Sequence, residues 1–82
     1  MNSGDNADVG KVDIRGVLCP YTFIRAKIAL ENIECGKILE ILLDNEMALK
    51  SLPKAFICYG QEYLGTERVS NSEWIIRIRK RQ

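Results

Sequence analysis

Histidine is absent from this 82-residue chain, which removes the most common general base and metal ligand near neutral pH. The chain has three cysteines, and the gaps between Cys19, Cys35 and Cys58 are too long for the CxxC-type spacing of a zinc site. An odd number of cysteines also argues against a disulfide framework. We therefore expect no bound metal, and nothing in the sequence indicates a cofactor. Any nucleophile in this chain has to be activated without histidine.

Long apolar runs are absent as well, since no segment approaches the roughly 18 residues of a membrane span. The polar start of the chain, Met1 to Gly10, is unlike a signal peptide. Hydrophobic residues make up 46% of the chain and charged residues 28%, as in soluble globular proteins. These features predict a cytoplasmic protein with no membrane partner. The net charge of +1 indicates no particular class of partner.

The length of the chain suits one domain. We expect a flexible N-terminal segment over residues 1–10 and a single domain over residues 11–82. Apolar periodicity predicts strands at 11–15, 38–43, 62–69 and 73–79, and helices at about 20–33 and 48–59. Pro53 lies within the second helix and predicts a break there. The order βαβαββ favours a two-layer α/β sandwich, with a four-stranded mixed sheet and two helices on one face.

Cys19 is the candidate reactive residue. Pro20 is a favoured first residue of a helix, so Cys19 is predicted at the N-cap position. The unpaired N–H groups and the positive end of the helix dipole stabilise a thiolate there. Such settings lower a cysteine pKa from about 8.5 to roughly 3.5–7.5. The alternative is a half-buried cysteine that merely precedes a helix.

The sequence around Cys19 resembles a known family. Asp-Ile-Arg-Gly from Asp13 to Gly16, followed after two residues by Cys19-Pro20, resembles the opening motif of the TusA, SirA and YedF family of small sulfur-carrier proteins. Residues 35–39, 44–46, 52–53, 60–62 and 74–80 resemble further elements of its pattern, so the resemblance covers about residues 11–80.

The resemblance implies the βαβαββ fold and a sulfur relay. The motif cysteine, here Cys19, would accept a persulfide sulfur from a cysteine desulfurase. It would pass that sulfur to an acceptor protein, for tRNA thiolation or for other sulfur or selenium metabolism. Such a protein is a sulfurtransferase-like carrier and not a self-sufficient enzyme. The alternative is a regulatory module, or one that binds RNA or protein, with the same fold and no sulfur chemistry.

Several neighbours are candidates for supporting the thiolate. The family motif is Cys-Pro-x-Pro, whereas this chain has Thr22 at the fourth position. Thr22 keeps a backbone N–H that proline would lack, and with Cys19 at the N-cap this N–H is predicted to donate to the sulfur. Arg15 is predicted to favour the anion, while Asp13 pins the loop. A charged, solvated face of the first strand is the alternative for both.

Two surfaces are candidates for binding partners. Ile24 and Ile28 lie off the predicted core stripe of the first helix, so they form either an apolar docking patch or a surface covered by other parts of the chain. Arg77 and Arg79 belong to a basic final strand that is a candidate for weak contact with RNA. No aromatic residue is interleaved with these charges, however, and a charged edge strand also protects against aggregation.

The remaining cysteines are weaker candidates for the relay. Cys58 lies between apolar neighbours in a predicted helix, which favours a packed thiol. Cys35 lies in a predicted turn and is expected to be accessible. The first helix should hold it roughly 20 Å from Cys19, too far for it to resolve a persulfide there.

Overall fold

A computed structural model describes residues 9–17 and 21–81, and these form the predicted βαβαββ order. The elements are β1 (Val9–Asp13), α1 (Tyr21–Glu31), β2 (Ile38–Leu43), α2 (Glu46–Cys58), β3 (Glu62–Ser70) and β4 (Glu73–Arg79). β1 begins two residues before its predicted start, because its pairing with β2 extends to Val9 and Ile38. Residues 1–8 of the predicted flexible segment lie outside the described residues.

The four strands form one mixed sheet in the order β1-β2-β4-β3. β1 runs parallel to β2, whereas β4 is antiparallel to both β2 and β3. Both helices cover the same face, as predicted. Their buried side chains pack against the alternate residues of β2 and β4 that face them: Ala26, Leu30, Ala48, Leu52 and Phe56 from the helices, and Leu39, Ile41, Leu43, Ile76 and Ile78 from the strands.

α2 is one continuous helix through Pro53, so the predicted break is wrong. Proline removes one backbone hydrogen bond from a helix interior. Here Leu52 and Phe56 are buried on either side of it, and their packing holds the two halves in line. Asn45 starts the helix, because its side-chain oxygen accepts hydrogen bonds from the N–H groups of Met47 and Ala48.

The strand directions determine which loops meet. The carboxyl ends of parallel β1 and β2 lie at one edge of the sheet, where antiparallel β4 begins. This edge, which we call the carboxyl edge, comprises residues 14–17, 44–46 and 70–73. The chain leaves β1 there, toward Cys19. Neither helix in residues 9–17 and 21–81 is long and apolar enough to cross a membrane.

Candidate functional site

The structure describes both flanks of the predicted reactive segment but not the segment itself. Cys19 and Pro20 lie outside the described residues. On one side the described chain ends with the turn after β1, and on the other it resumes at Tyr21, the first residue of α1. The predicted N-cap position of Cys19 and the support of Pro20 therefore remain predictions.

Asp13 and Arg15 form the turn that follows β1. Asp13 Oδ1 accepts a hydrogen bond from the Arg15 backbone N–H at 3.0 Å, and Asp13 Oδ2 accepts one from Arg15 Nη2 at 2.7 Å. These bonds lower the pKa of Asp13 from 3.8 to about 2. Arg15 Nη1 also donates to Glu73 Oε2 at 3.2 Å, so two carboxylates oppose the charge of the guanidinium. Whether Arg15 favours the Cys19 anion remains a prediction.

A second carboxylate from outside the motif holds the next residue of the turn. Asp44 Oδ1 accepts a hydrogen bond from the Gly16 N–H at 3.0 Å. Gly16 has a φ of 79°, a left-handed conformation that glycine adopts without strain. Neither Asp44 nor Glu73 was expected at this site from the sequence. The signal for Asp44 was its place directly after β2, since the carboxyl ends of parallel strands meet at one edge.

An open groove of about 630 Å³ adjoins this turn. It lies between Val17, the beginning of α2 and the β3–β4 turn, and Trp74 forms part of its wall. The turn that leads to Cys19 therefore borders a depression in the surface, with Asp44 at the point where the two meet.

Thr22 is buried, with 1% of its surface exposed. Within the described part of the chain its Oγ1 has no hydrogen-bond partner. Its side chain lies on the core-facing stripe of α1 together with Ala26 and Leu30. The predicted contact between the Thr22 N–H and the Cys19 sulfur involves a residue outside the described ranges and remains a prediction.

The outer face of α1 carries an exposed apolar stripe with Arg25 and Glu31 exposed beside it. Tyr21, Ile24 and Ile28 are 62%, 46% and 53% exposed, and their spacing of three and four residues places them on one stripe. The opposite stripe packs on the sheet, and the Phe23 ring lies 5.2 Å from that of Phe56. Ile24 and Ile28 lie off the core stripe, as predicted, and of the two alternatives the exposed surface is the one observed. Tyr21 extends this stripe, and its role in docking remains a prediction.

Comparisons with known proteins decide the family. A family model described as sulfurtransferase TusA matches residues 10–80. The chain belongs to the TusA family. A predicted sulfur carrier protein of Archaeoglobus fulgidus is 41% identical over 85% of this chain and 80% of its own length. One of Thermotoga maritima is 38% identical over 83% of this chain and 86% of its own length.

A solved structure supports the same assignment. The crystal structure of a SirA-like protein from Desulfitobacterium hafniense superposes with a TM-score of 0.68 at 32% identity, covering 90% of this chain and 99% of that one. The chain is thus a sulfur carrier protein of the TusA family, and the family implies partners in a sulfur relay.

The basic strand of this TusA family member is paired with carboxylates. Arg77 donates from Nε to Glu40 Oε2 at 3.0 Å and from Nη2 to Glu67 Oε1 at 2.7 Å. Arg79 Nη1 contacts Glu62 Oε1 at 3.3 Å. These pairs cross the sheet on the face away from the helices. An RNA phosphate would have to displace the carboxylates, so the pairing weakens the prediction that Arg77 and Arg79 contact RNA.

The two described cysteines are both exposed thiols. The predicted exposure of Cys35 is confirmed, but the predicted packing of Cys58 is wrong. Cys58 lies two residues after buried Phe56, which rotates it about 200° around the helix axis, away from the core. Among the described residues no group of cysteine, aspartate and glutamate side chains is arranged to hold a metal ion.

Proposed function

We propose that this protein carries sulfur as a persulfide on Cys19, accepting it from a cysteine desulfurase and passing it to an acceptor protein. Membership of the TusA family supports the proposal. The observation that carries it is the position of Cys19 in the chain, two residues before the first residue of α1 and three after Gly16. A helix amino end stabilises a thiolate through its unpaired N–H groups and its dipole.

Each transfer moves one sulfur atom without net oxidation. The Cys19 thiolate attacks the terminal sulfur of the donor's persulfide, and a new sulfur–sulfur bond forms as the donor's bond breaks. The donor cysteine leaves as a thiolate, and the acceptor's thiolate repeats the exchange at Cys19. No general base is required, which suits a chain without histidine.

The apolar stripe on α1 is the surface on which we expect a sulfur donor or acceptor protein to dock. Tyr21, Ile24 and Ile28 are exposed on the helix that begins beside Cys19, so a partner seated on them would bring its own sulfur close to the site. The acceptor would serve tRNA thiolation or other sulfur or selenium metabolism. We expect the relay to work in the cytoplasm, where thiols stay reduced.

Sulfur loading tests the proposal directly. The protein is incubated with a purified cysteine desulfurase and L-cysteine, and the intact mass is measured. We expect the mass of one added sulfur atom in the wild type and in Cys35→Ser and Cys58→Ser, and none in Cys19→Ser. Serine keeps a hydroxyl that caps a helix, so Cys19→Ser should remain folded.

The same experiment distinguishes the sulfur carrier from the alternative function. A regulatory module, or one that binds RNA or protein, with this fold and no sulfur chemistry, would take up no sulfur on Cys19 from the desulfurase. Inorganic polysulfide would modify its exposed thiols, Cys35 and Cys58, no less than Cys19. Equal loading of the wild type and Cys19→Ser would place the sulfur on another residue and refute the role of Cys19.

A further inference from the structure

Three hydrogen bonds to other parts of the chain hold the turn before Cys19. Ile14 is 1% exposed and its N–H donates to the Leu42 carbonyl oxygen at 2.8 Å. The Val17 N–H donates to the Ile14 carbonyl oxygen at 3.1 Å, which closes the turn on itself. Between these two bonds, the side chains of Asp44 and Glu73 hold Gly16 and Arg15 from two other parts of the chain.

The two carboxylates that contact the turn, Asp44 and Glu73, lie at the ends of strands of the sheet. Asp44 follows β2 directly and precedes Asn45, the residue that caps α2. Glu73 is the first residue of β4 and pairs with Ser70 across the β3–β4 turn. A shift of the turn relative to the sheet would therefore strain the hydrogen bond from the Gly16 N–H to Asp44, because Asp44 follows β2 directly. It would strain the Arg15–Glu73 pair less, because both of these side chains are long and partly exposed.

Resting on the proposed function, we propose that Asp44 and Glu73 are positioning residues for sulfur transfer. Asp44 acts through the Gly16 amide and Glu73 through the Arg15 guanidinium. Both hold the chain that enters the Cys19 segment at a fixed place on the carboxyl edge. Neither residue belongs to the motif that carries the reactive cysteine.

The charge of these carboxylates cannot be what the site uses. A negative charge near a thiolate disfavours the ionised form, so Asp44 and Glu73 would lower reactivity if they acted through the field alone. Their contribution is the hydrogen bond. Sulfur transfer between two proteins needs the reacting atoms about 3–3.5 Å apart and aligned, and a misplacement of 1 Å costs on the order of 10²-fold in rate.

A pair of substitutions at one position isolates the hydrogen bond from the charge. Asp44→Ala and Asp44→Asn both remove the carboxylate charge, but the asparagine side chain keeps an oxygen that accepts from the Gly16 N–H. Glu73→Ala and Glu73→Gln form the same pair for Arg15. The rate of sulfur loading is measured with a purified cysteine desulfurase and L-cysteine, well below the unfolding temperature of each variant.

We expect Asp44→Ala to load about tenfold more slowly than the wild type, as a partial misplacement implies, and Asp44→Asn to restore most of the rate. A role in stability alone would lower the unfolding temperature of Asp44→Ala but would not slow loading of the folded protein. Loading by inorganic polysulfide, a small donor that needs no docking geometry, should change much less than loading by the desulfurase.

The outcomes distinguish this inference from the function on which it rests. If the wild type takes up no sulfur on Cys19, the proposed function fails and the positioning role fails with it. If the wild type loads and Asp44→Ala loads as fast as Asp44→Asn, only the positioning role is overturned. Should Asp44→Ala not fold, the comparison of Glu73→Ala with Glu73→Gln decides by the same criterion.

Discussion

Replacing Thr22 by valine should stabilise the protein. The Thr22 side chain is 1% exposed, and its hydroxyl has no partner in the described part of the chain. A buried hydroxyl without a hydrogen bond costs about 1–3 kcal/mol, and valine has nearly the same shape without the polar group. Helix propensities of the two residues are similar, so the helix itself should not be affected. We expect Thr22→Val to raise the free energy of unfolding by about 1 kcal/mol.

Thermal and urea denaturation followed by circular dichroism measure this change. For a domain of this size 1 kcal/mol corresponds to about 4–8 °C in Tm. Thr22→Ser is the matched control, because it keeps the hydroxyl and loses a methyl group, and it should destabilise by about 1 kcal/mol. A less stable Thr22→Val would contradict the expectation that the hydroxyl is unpartnered. A helical threonine can donate to a carbonyl three or four residues earlier, and those residues, Leu18 and Cys19, lie outside the described ranges.

A companion substitution separates the hydroxyl from the backbone N–H at the same position. Thr22→Pro removes both, whereas Thr22→Val removes only the hydroxyl. Proline is tolerated in the first turn of a helix, where the N–H groups lack helical acceptors. If the N–H donates to the sulfur, Thr22→Pro should raise the Cys19 pKa by about 0.5, since a charged hydrogen bond is weakened where water competes. Iodoacetamide labelling against pH measures it, and a lower pKa would exclude that hydrogen bond.

Three further predictions concern Cys19, Asp13 and Arg77. Cys19 should react with iodoacetamide faster than Cys35 or Cys58 near neutral pH, and faster labelling of either of those would contradict the activation of Cys19. Asp13 has a pKa of about 2 against an ordinary 3.8, so its stabilisation is present above about pH 4 and is lost as pH falls toward 2. Asp13→Asn should flatten the dependence of Tm on pH in that window, and an unchanged slope would assign it to another group. Arg77→Met should cost about 1 kcal/mol of stability because two carboxylates lose their partner, without slowing sulfur loading; slower loading would place Arg77 in the relay.

The elements of the fold follow from local patterns in the sequence. The bounds predicted for β2 and β4 coincide with the structure, because an apolar run and a strict alternation each specify a strand over its whole length. The break predicted at Pro53 is absent from α2. The expectation rested on proline's local preference alone, whereas Leu52 and Phe56 on either side of it are buried in the core.

Contacts between strands that are far apart in the sequence could not be predicted from local patterns. Arg77 lies opposite Glu40 because β2 and β4 are neighbours in the sheet, and the pattern of either strand alone does not identify its partner strand. The same holds for Glu73, which is 58 positions from Arg15 in sequence and contacts it across the carboxyl edge. The motif that carries the cysteine is evident in the sequence, whereas Asp44 and Glu73, which contact the turn of that motif, are not.

The direction of the helices explains how one thiol of three could be selected without histidine. Cys19 precedes α1 in the sequence, and the first turn of a helix has N–H groups without helical acceptors. Cys58 is the last residue of α2, and Cys35 follows the carboxyl end of α1, so both lie away from such N–H groups. Exposure alone does not discriminate, because Cys35 and Cys58 are both accessible. If Cys19 is the carrier, the selection comes from the polarity of the helix on one flank and from the anchored turn on the other.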